Sequence, residues 1–357
     1  MKQRYYRLKK ILECNADYMV LLGERSNGKS YAVKEECVTR AYNAPDTSRF
    51  VLLRRWQLEI KGGLIEQYFA DCPIKSITNG EYETVSYWQG KLFLANYTEE
   101  GKVARGICIG YVRGLTAEEH YKSGSYIDCD AIIYEEFTSK NGYLPHEPTT
   151  LMSFISTVAR RRKIRVFLIG NTVSRICPYF SEWQLTGLMK QKQGTIDIYN
   201  IKTENYDEHE KQVVVRVAVE FCENSGKNTL MSFGQASKMI STGAWECDTH
   251  PHLTKRLECY NLVHIVVFAY QSNKFLVRFL SDNDGNCFCY VEPKTSQNNK
   301  KYDRTVSDTF EVDNLHTVGF VPLSQKENIL FNLIKNKKVC FSDNLTGSEF
   351  WQCYNAL

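Results

Sequence analysis

Four short apolar runs, each followed by a polar tip, dominate the first half of the chain. They are "DYMVLL" (17–22), "RFVLL" (49–53), "AIIY" (131–134) and "RVFLIG" (165–170). Continuous apolar runs of this length fit strands covered on both faces better than half-exposed ones. The segment "YAVKEECVTRAY" after the first run reads as a helix, and strands alternating with helices predict an α/β domain built on a parallel sheet. From 201 to 255 the chain turns charged and polar, with one β-like run, "KQVVVRVAVEF", which reads as a linker region or a small subdomain. Beyond it, "LVHIVVFAY", "KFLVRFL" and "CFCYVE" fall at the spacing of an antiparallel meander. Two helices should follow, opened by the capping patterns Ser324-x-x-Glu327 and Thr346-x-x-Glu349. The expected organisation is an α/β domain over 1–200, a linker over 201–255 and an α+β domain over 256–357.

Composition changes this picture little. A chain of 357 residues is long enough for two cores, and 43% apolar with 24% charged content is that of an ordinary globular protein. No apolar run reaches membrane-span length, and the apolar segment near the N-terminus is too short for a signal peptide, so a cytoplasmic protein is expected. Thirteen cysteines without a C-x-x-C pair read as reduced thiols. Cys247, His250, His252 and Cys259 could hold zinc, but their irregular spacing fits loop residues without a metal better. The net charge of +4 does not by itself announce a nucleic-acid binder.

The polar tips carry the chemistry. "GERSNGKS" fits the frame Gly-x-x-x-x-Gly-Lys-[Ser/Thr] without a mismatch, between a strand and a helix. Glycines let successive N–H groups turn inward around phosphate oxygens, the lysine reaches the β- and γ-phosphates, and the serine hydroxyl can ligate Mg²⁺. The candidate nucleotide-binding residues are therefore Gly23, Glu24, Arg25, Ser26, Asn27, Gly28, Lys29, Ser30 and Tyr31. Glu135 and Glu136 stand at the end of the third apolar run. In the presence of a phosphate loop, such a pair suggests ATP hydrolysis, with Glu135 in the Mg²⁺ shell beside Ser30 and Glu136 activating water. Taken alone, the pair would be a solvated strand end. "ARRRKIR" places Arg160, Arg161, Arg162, Lys163 and Arg165 before the last run. Spacing leaves three roles open: a solvated helix end, contact with DNA phosphates, or an arginine supplied to a neighbouring subunit.

Three segments, "GERSNGKSYAVKEECV", "RFVLLRRW" and "AIIYEEF…TVARRRKIRVFLIGNTVSRICPYF", resemble the DNA-encapsidation ATPases of small tailed phages, relatives of the terminase large subunit. The resemblance covers Leu21 to Phe180 and is weaker beyond. It implies a P-loop NTPase of the additional-strand, catalytic-glutamate (ASCE) type, with a C-terminal α+β ribonuclease-H-like domain. It also implies a homopentameric ring that hydrolyses ATP to drive double-stranded DNA into a procapsid. The implied partners are the portal protein and, in some relatives, a packaging RNA. The implied location is the cytoplasm of the infected host, transiently at the portal vertex. By position, Lys29 and Ser30 match the phosphate and Mg²⁺ ligands, and Glu136 the catalytic glutamate. Arg160 matches an arginine acting in trans, and Asn171 the strand-tip residue that senses the γ-phosphate. Lys122 falls near a lysine of the relatives, and Arg161 and Arg162 remain candidates for DNA or trans contact. The family usually carries Asp-Glu where this chain has Glu135-Glu136.

A two-metal nuclease of the ribonuclease H type needs an acid on its first strand, and "LVHIVVFAY" has none. The expectation is thus a vestigial nuclease scaffold. The competing readings are a terminase with an active nuclease and a nucleotide-binding regulator of DNA.

Overall fold

In the computed structural model, the residues described are 6–24, 27–139, 142–172, 176–185, 187–188, 191–206, 210–223, 248–270, 273–295, 304–307, 316–318 and 320–356. The chain divides into two units, Met1–Val173 with Glu182–Ala244, and Ser174–Ser181 with Trp245–Leu357.

The first unit is organised by one sheet. Its strands are β1 (Tyr18–Gly23), β2 (Arg49–Arg54), β3 (Thr84–Trp88), β4 (Lys91–Tyr97), β5 (Val103–Gly114), β6 (Cys129–Glu135), β7 (Arg165–Asn171), β8 (Thr195–Tyr206) and β9 (Gln212–Phe221). They lie in the order β3-β4-β5-β2-β6-β7-β1-β9-β8. From β5 through β2, β6, β7 and β1 to β9 every pairing is parallel, and antiparallel strands finish both edges. The four apolar runs thus become β1, β2, β6 and β7, with β7 inserted between the loop-bearing β1 and the acid-bearing β6.

Among the helices are α1 (Lys9–Leu12), α2 (Lys29–Asn43), α3 (Gly62–Phe69), α4 (Ile74–Ile77), α5 (Glu118–Tyr121), α6 (Glu147–Ala159) and α7 (Pro178–Glu182). Helix α2 places Val33, Cys37, Val38 and Ala41 on one stripe, in the same core as Met19, Leu21, Phe50, Leu52, Ile133 and Phe167. The alternate strand residues Val20, Leu22, Val51, Ile132 and Leu168 point to the opposite face and are equally buried. Burial on both faces is why these strands carry no polar alternation.

The structure corrects the expected linker. Residues 201–221 belong to the β8–β9 hairpin, and β9 pairs in parallel with β1 from Tyr18↔Val217 to Leu22↔Phe221. Their polarity is that of an edge: β8 alternates apolar and polar residues, and only the last part of β9 is buried. Residues 224–247 lie outside the described residues, and the β3–β5 meander had no counterpart in the sequence reading.

The second unit has strands β10 (Asn261–Tyr270), β11 (Asn273–Ser281), β12 (Cys287–Pro293), β13 (Thr305–Ser307), β14 (His316–Val318) and β15 (Val339–Phe341), in the order β14-β13-β10-β11-β12-β15. The expected meander is β10–β11–β12, and β13 lies parallel to β10. Helices α8 (Gln325–Lys335) and α9 (Asn344–Ala356) supply Leu330, Ile334 and Phe350 to a core with Val266, Phe268, Val277 and Val291. Ser324 caps α8 as expected, accepting from the Glu327 amide at 3.2 Å. Helix α9 starts earlier than expected, because Asp343 accepts from the Thr346 amide (2.9 Å) and hydroxyl (2.6 Å).

Candidate nucleotide site

Strand β1 ends at Gly23, and α2 begins six residues later at Lys29, so the frame becomes a strand–loop–helix turn. Gly28 is the N-cap of α2 with φ 97°, a left-handed conformation that costs glycine little. At Gly23 a Cβ would approach Cys222 Cβ to 3.2 Å and the Asn27 side chain to 3.3 Å, so a larger residue would push on the residue after β9 and on the loop itself. Lys29 is buried. Its ammonium donates to the Glu24 carbonyl at 2.6 Å and to Asn27 Oδ1 at 3.2 Å. Burial lowers the lysine's pKa, opposed by Cys222, Glu135 and Glu24. A buried cation whose hydrogen bonds, among the described residues, go to neutral oxygens of its own loop gains from an incoming anion. Arg25 and Ser26 lie outside the described residues.

The strand tips meet this loop around a cavity of about 690 Å³. Asn27, Gly28, Lys29, Ser30 and Tyr31 line one side, and Glu135, Glu136, Ile169, Gly170 and Asn171 another, with Asp71 completing the wall. That volume suits a small-molecule ligand. Glu135 is buried at the end of β6, where its carboxylate accepts from the Tyr68 hydroxyl at 2.6 Å. Burial raises its pKa, and the Tyr68 and Ser30 hydroxyls partly offset that. Glu136, one residue on, is exposed and has φ 54°, an uncommon conformation for a residue with a Cβ. Its carboxylate meets Arg54 Nη2 at 3.2 Å. Asn171 ends β7 in register with Gly23.

The structure therefore brings Lys29, Ser30, Glu135, Glu136 and Asn171 to one cavity. Mg²⁺ fits the donor set: the Ser30 hydroxyl and the Glu135 carboxylate, both lining the cavity, offer the hard oxygen ligands that ion prefers. The sequence reading missed Tyr68, whose place on α3 nothing local announces, and left Arg54 and Arg55 without roles.

Arg160 lies elsewhere. It follows α6 and precedes β7, at the amino-terminal end of that strand, whereas the phosphate loop lies at the carboxyl ends, so the length of β7, roughly 20 Å, separates the two. It is exposed, has φ 42°, and donates to the Gly124 carbonyl at 2.7 Å, two residues from Lys122. Lys122 pairs with Glu118 and Glu119 at 3.5 and 3.4 Å. Arg161 is exposed at φ 68°. Arg162 is exposed, and its guanidinium also donates to the carbonyls of Tyr126, Ile127, Cys129 and Val158, bracing the approach to β6. Arg165 is likewise committed, to Glu36 and Asp130. Cys247 lies outside the described residues, while His250 bonds Ser348 and His252 bonds Phe341 and Asn344.

Comparison with known proteins gives this geometry a family. The family model described as podovirus DNA encapsidation protein (Gp16) matches residues 1–235. The DNA packaging protein of Bacillus phage B103 is 31% identical over 164 residues, 45% of this chain and 46% of that protein. The DNA packaging protein of Bacillus phage phi29 is 27% identical over 200 residues, 55% of each. The chain thus spans about half the length of the curated relatives it matches. A chain of the bacteriophage Phi-29 viral genome packaging motor assembly superposes with a TM-score of 0.56 at 18% identity, covering 98% of both chains, a likeness of fold alone. Since the matched region takes in well over half of the chain and every residue lining the cavity, this chain belongs to the podovirus DNA encapsidation protein (Gp16) family.

Proposed function

We propose that the protein is an ATPase that drives double-stranded DNA into a procapsid. The observation that carries the reading is the convergence of Lys29, Ser30, Glu135, Glu136 and Asn171 on one cavity beneath a phosphate loop. Lys29 leaves its loop carbonyl for the β- and γ-phosphates, and Ser30 and Glu135 hold Mg²⁺ directly or through water. Mg²⁺, when bound, neutralises charge on the phosphates. Glu136 releases Arg54, orients the attacking water and takes its proton. Asn171 contacts the γ-phosphate. Arg160 reaches the nucleotide of the next subunit in a ring, pentameric by analogy with the family, and its place far from its own loop supports a role in trans. Exposed Arg161 and Arg162 and the nearby Lys122 are the remaining candidates for DNA or trans contact. The portal of the procapsid is the docking partner, with a packaging RNA possible in the same assembly.

For the second unit, we read a ribonuclease-H-like scaffold used for binding. A three-strand antiparallel meander with two further strands added in parallel beside its first strand supports that reading. An active nuclease is the competing reading, and it is disfavoured because β10 carries no acid. ATP turnover measured with and without double-stranded DNA, beside a plasmid-nicking assay with Mn²⁺, tests both. DNA-stimulated turnover without nicking is expected, and DNA-independent turnover would remove the motor reading.

A further inference from the structure

Glu136 combines an exposed carboxylate with a left-handed backbone, and its carbonyl accepts from Arg55. Arg55 lies outside the cavity lining and is buried, as is Glu147 at the start of α6. The two form a forked pair, Nε to Oε2 at 2.8 Å and Nη2 to Oε1 at 3.1 Å. The same guanidinium turns its remaining donors on the acid tip. Nη1 donates to the Glu136 carbonyl at 3.1 Å, and Nη2 to the Phe137 carbonyl at 2.6 Å. Glu147 is anchored in turn by the Tyr134 hydroxyl at 2.7 Å and the Leu144 amide at 2.8 Å. Tyr143 and Tyr134 lie within 5.2 and 5.9 Å of the guanidinium carbon. Consecutive arginines at the end of β2 thus divide the work: Arg54 meets the Glu136 carboxylate, while Arg55 grips the peptide units on its C-terminal side.

We propose that Arg55, held by Glu147, is a positioning residue for Glu136: it keeps the peptide after Glu136 in the orientation that aims the carboxylate into the cavity. The proposal rests on the reading of Glu136 as the water-activating base. A planar fork is required, because one group must satisfy two successive carbonyls and a carboxylate at once. A left-handed residue persists only where its surroundings over-determine it. Without the grip the backbone relaxes and the carboxylate moves, and a displacement of about 1 Å at a reacting group can cost on the order of a hundredfold in rate.

The test is a cycle of variants in the full chain. Arg55→Met paired with Glu147→Leu removes the donors without leaving a buried charge unpaired, which would itself unfold the unit. It should fold, bind a fluorescent ATP analogue within about twofold of wild type, and lose roughly ten- to a hundredfold in kcat with KM little changed. Combined with Glu136→Gln it should add less than about threefold, because both changes act through the same carboxylate. Losses that multiply in full would mark Arg55 as ordinary packing, and wild-type kcat in the paired variant would overturn the proposal outright. Should the pair not fold, Arg55→Lys, which keeps the buried positive charge but not the fork, carries the same cycle. Normal turnover by Glu136→Gln alone would instead sink the base assignment, a failure distinct from that of the grip.

Discussion

Two carboxylates, equally buried, are treated in opposite ways by the two units. Glu327 in the second unit is 4% exposed and fully answered: Arg304 Nη1 donates at 2.8 Å, the Leu323 amide at 2.7 Å, and His264 Nε2 stands at 3.6 Å. Glu135 in the first unit is 6% exposed, and its carboxylate accepts from the Tyr68 hydroxyl, with no direct ion pair among the described residues. Burying a carboxylate is costly unless a charge comes with it. Glu327 brings its own cation and is a strut. Glu135 has the cations Lys29 and Arg54 in its neighbourhood but pairs directly with neither, and it stands at the wall of a cavity in which a metal–nucleotide would bring charge into contact with it. A buried acid points to a ligand when no cation is paired with it directly and a cavity lies beside it.

The comparison is strained most at the residues meant to meet the ligand. Arg160→Ala should bind ATP normally yet hydrolyse it about 10³- to 10⁵-fold more slowly, the range for an arginine acting on a neighbour's phosphate. Mixing it with Glu136→Gln protein should restore partial turnover, because one chain brings Glu136 and the next brings Arg160. Rings shown to be mixed, yet no more active than their parts, would return Arg160 to a helix-end role. Next in size, Glu136→Gln should keep ATP binding and lose turnover by a factor on the order of a thousand, while Lys29→Ala should lose turnover together with affinity. Stopped-flow binding beside single-turnover hydrolysis separates the two outcomes.

The same contrast explains what could be read from the chain. A phosphate loop is a local object, so Gly23 to Ser30 announced itself, and fully buried strands show as apolar runs whose tips are the only polar positions. That is why Glu135, Glu136 and Asn171 were visible before any coordinates. Tyr68 and Arg55 were not, because their roles are set by partners 67 and 92 residues away, Glu135 and Glu147. The place of the β8–β9 hairpin in the sheet was missed for the converse reason: β9 showed only as a β-like run, the edge strand β8 alternates and carries charge, and the pairing of β9 with β1 leaves no short-range trace. The bonds of Arg162 to its own carbonyls were not legible, since a basic run looks alike whether its guanidiniums face solvent or the backbone.

In the second unit the prediction is structural. Arg304→Met leaves Glu327 buried and unpaired, and should lower stability by about 3–5 kcal/mol. Arg304→Met with Glu327→Leu should recover most of that. Chemical denaturation of the full chain, followed by a probe in β10–β12, measures both. Neither variant should create or abolish cleavage of plasmid DNA with Mn²⁺. If the pair is no more stable than Arg304→Met alone, Glu327 is not the strut described.

The smallest effect is expected at Tyr68, and it tests Glu135 most directly. The Tyr68 hydroxyl donates to Glu135 at 2.6 Å and favours the ionised carboxylate, opposing the burial that raises its pKa. Tyr68→Phe removes that donor and nothing else of similar size. The sign follows: with one fewer donor the pKa of Glu135 rises further, so the acid persists to higher pH and the carboxylate forms later as pH increases. The acid limb of ATP turnover should move to higher pH, and half-saturation by Mg²⁺ near neutral pH should rise about fivefold, a loss on the order of 1 kcal/mol. At saturating Mg²⁺ and higher pH the rate should approach that of wild type, because Glu136 and Lys29 are untouched. If Tyr68 served only to fill the core, the variant would lose stability with no change in Mg²⁺ requirement or pH profile. A Mg²⁺ titration of turnover at two pH values decides between them.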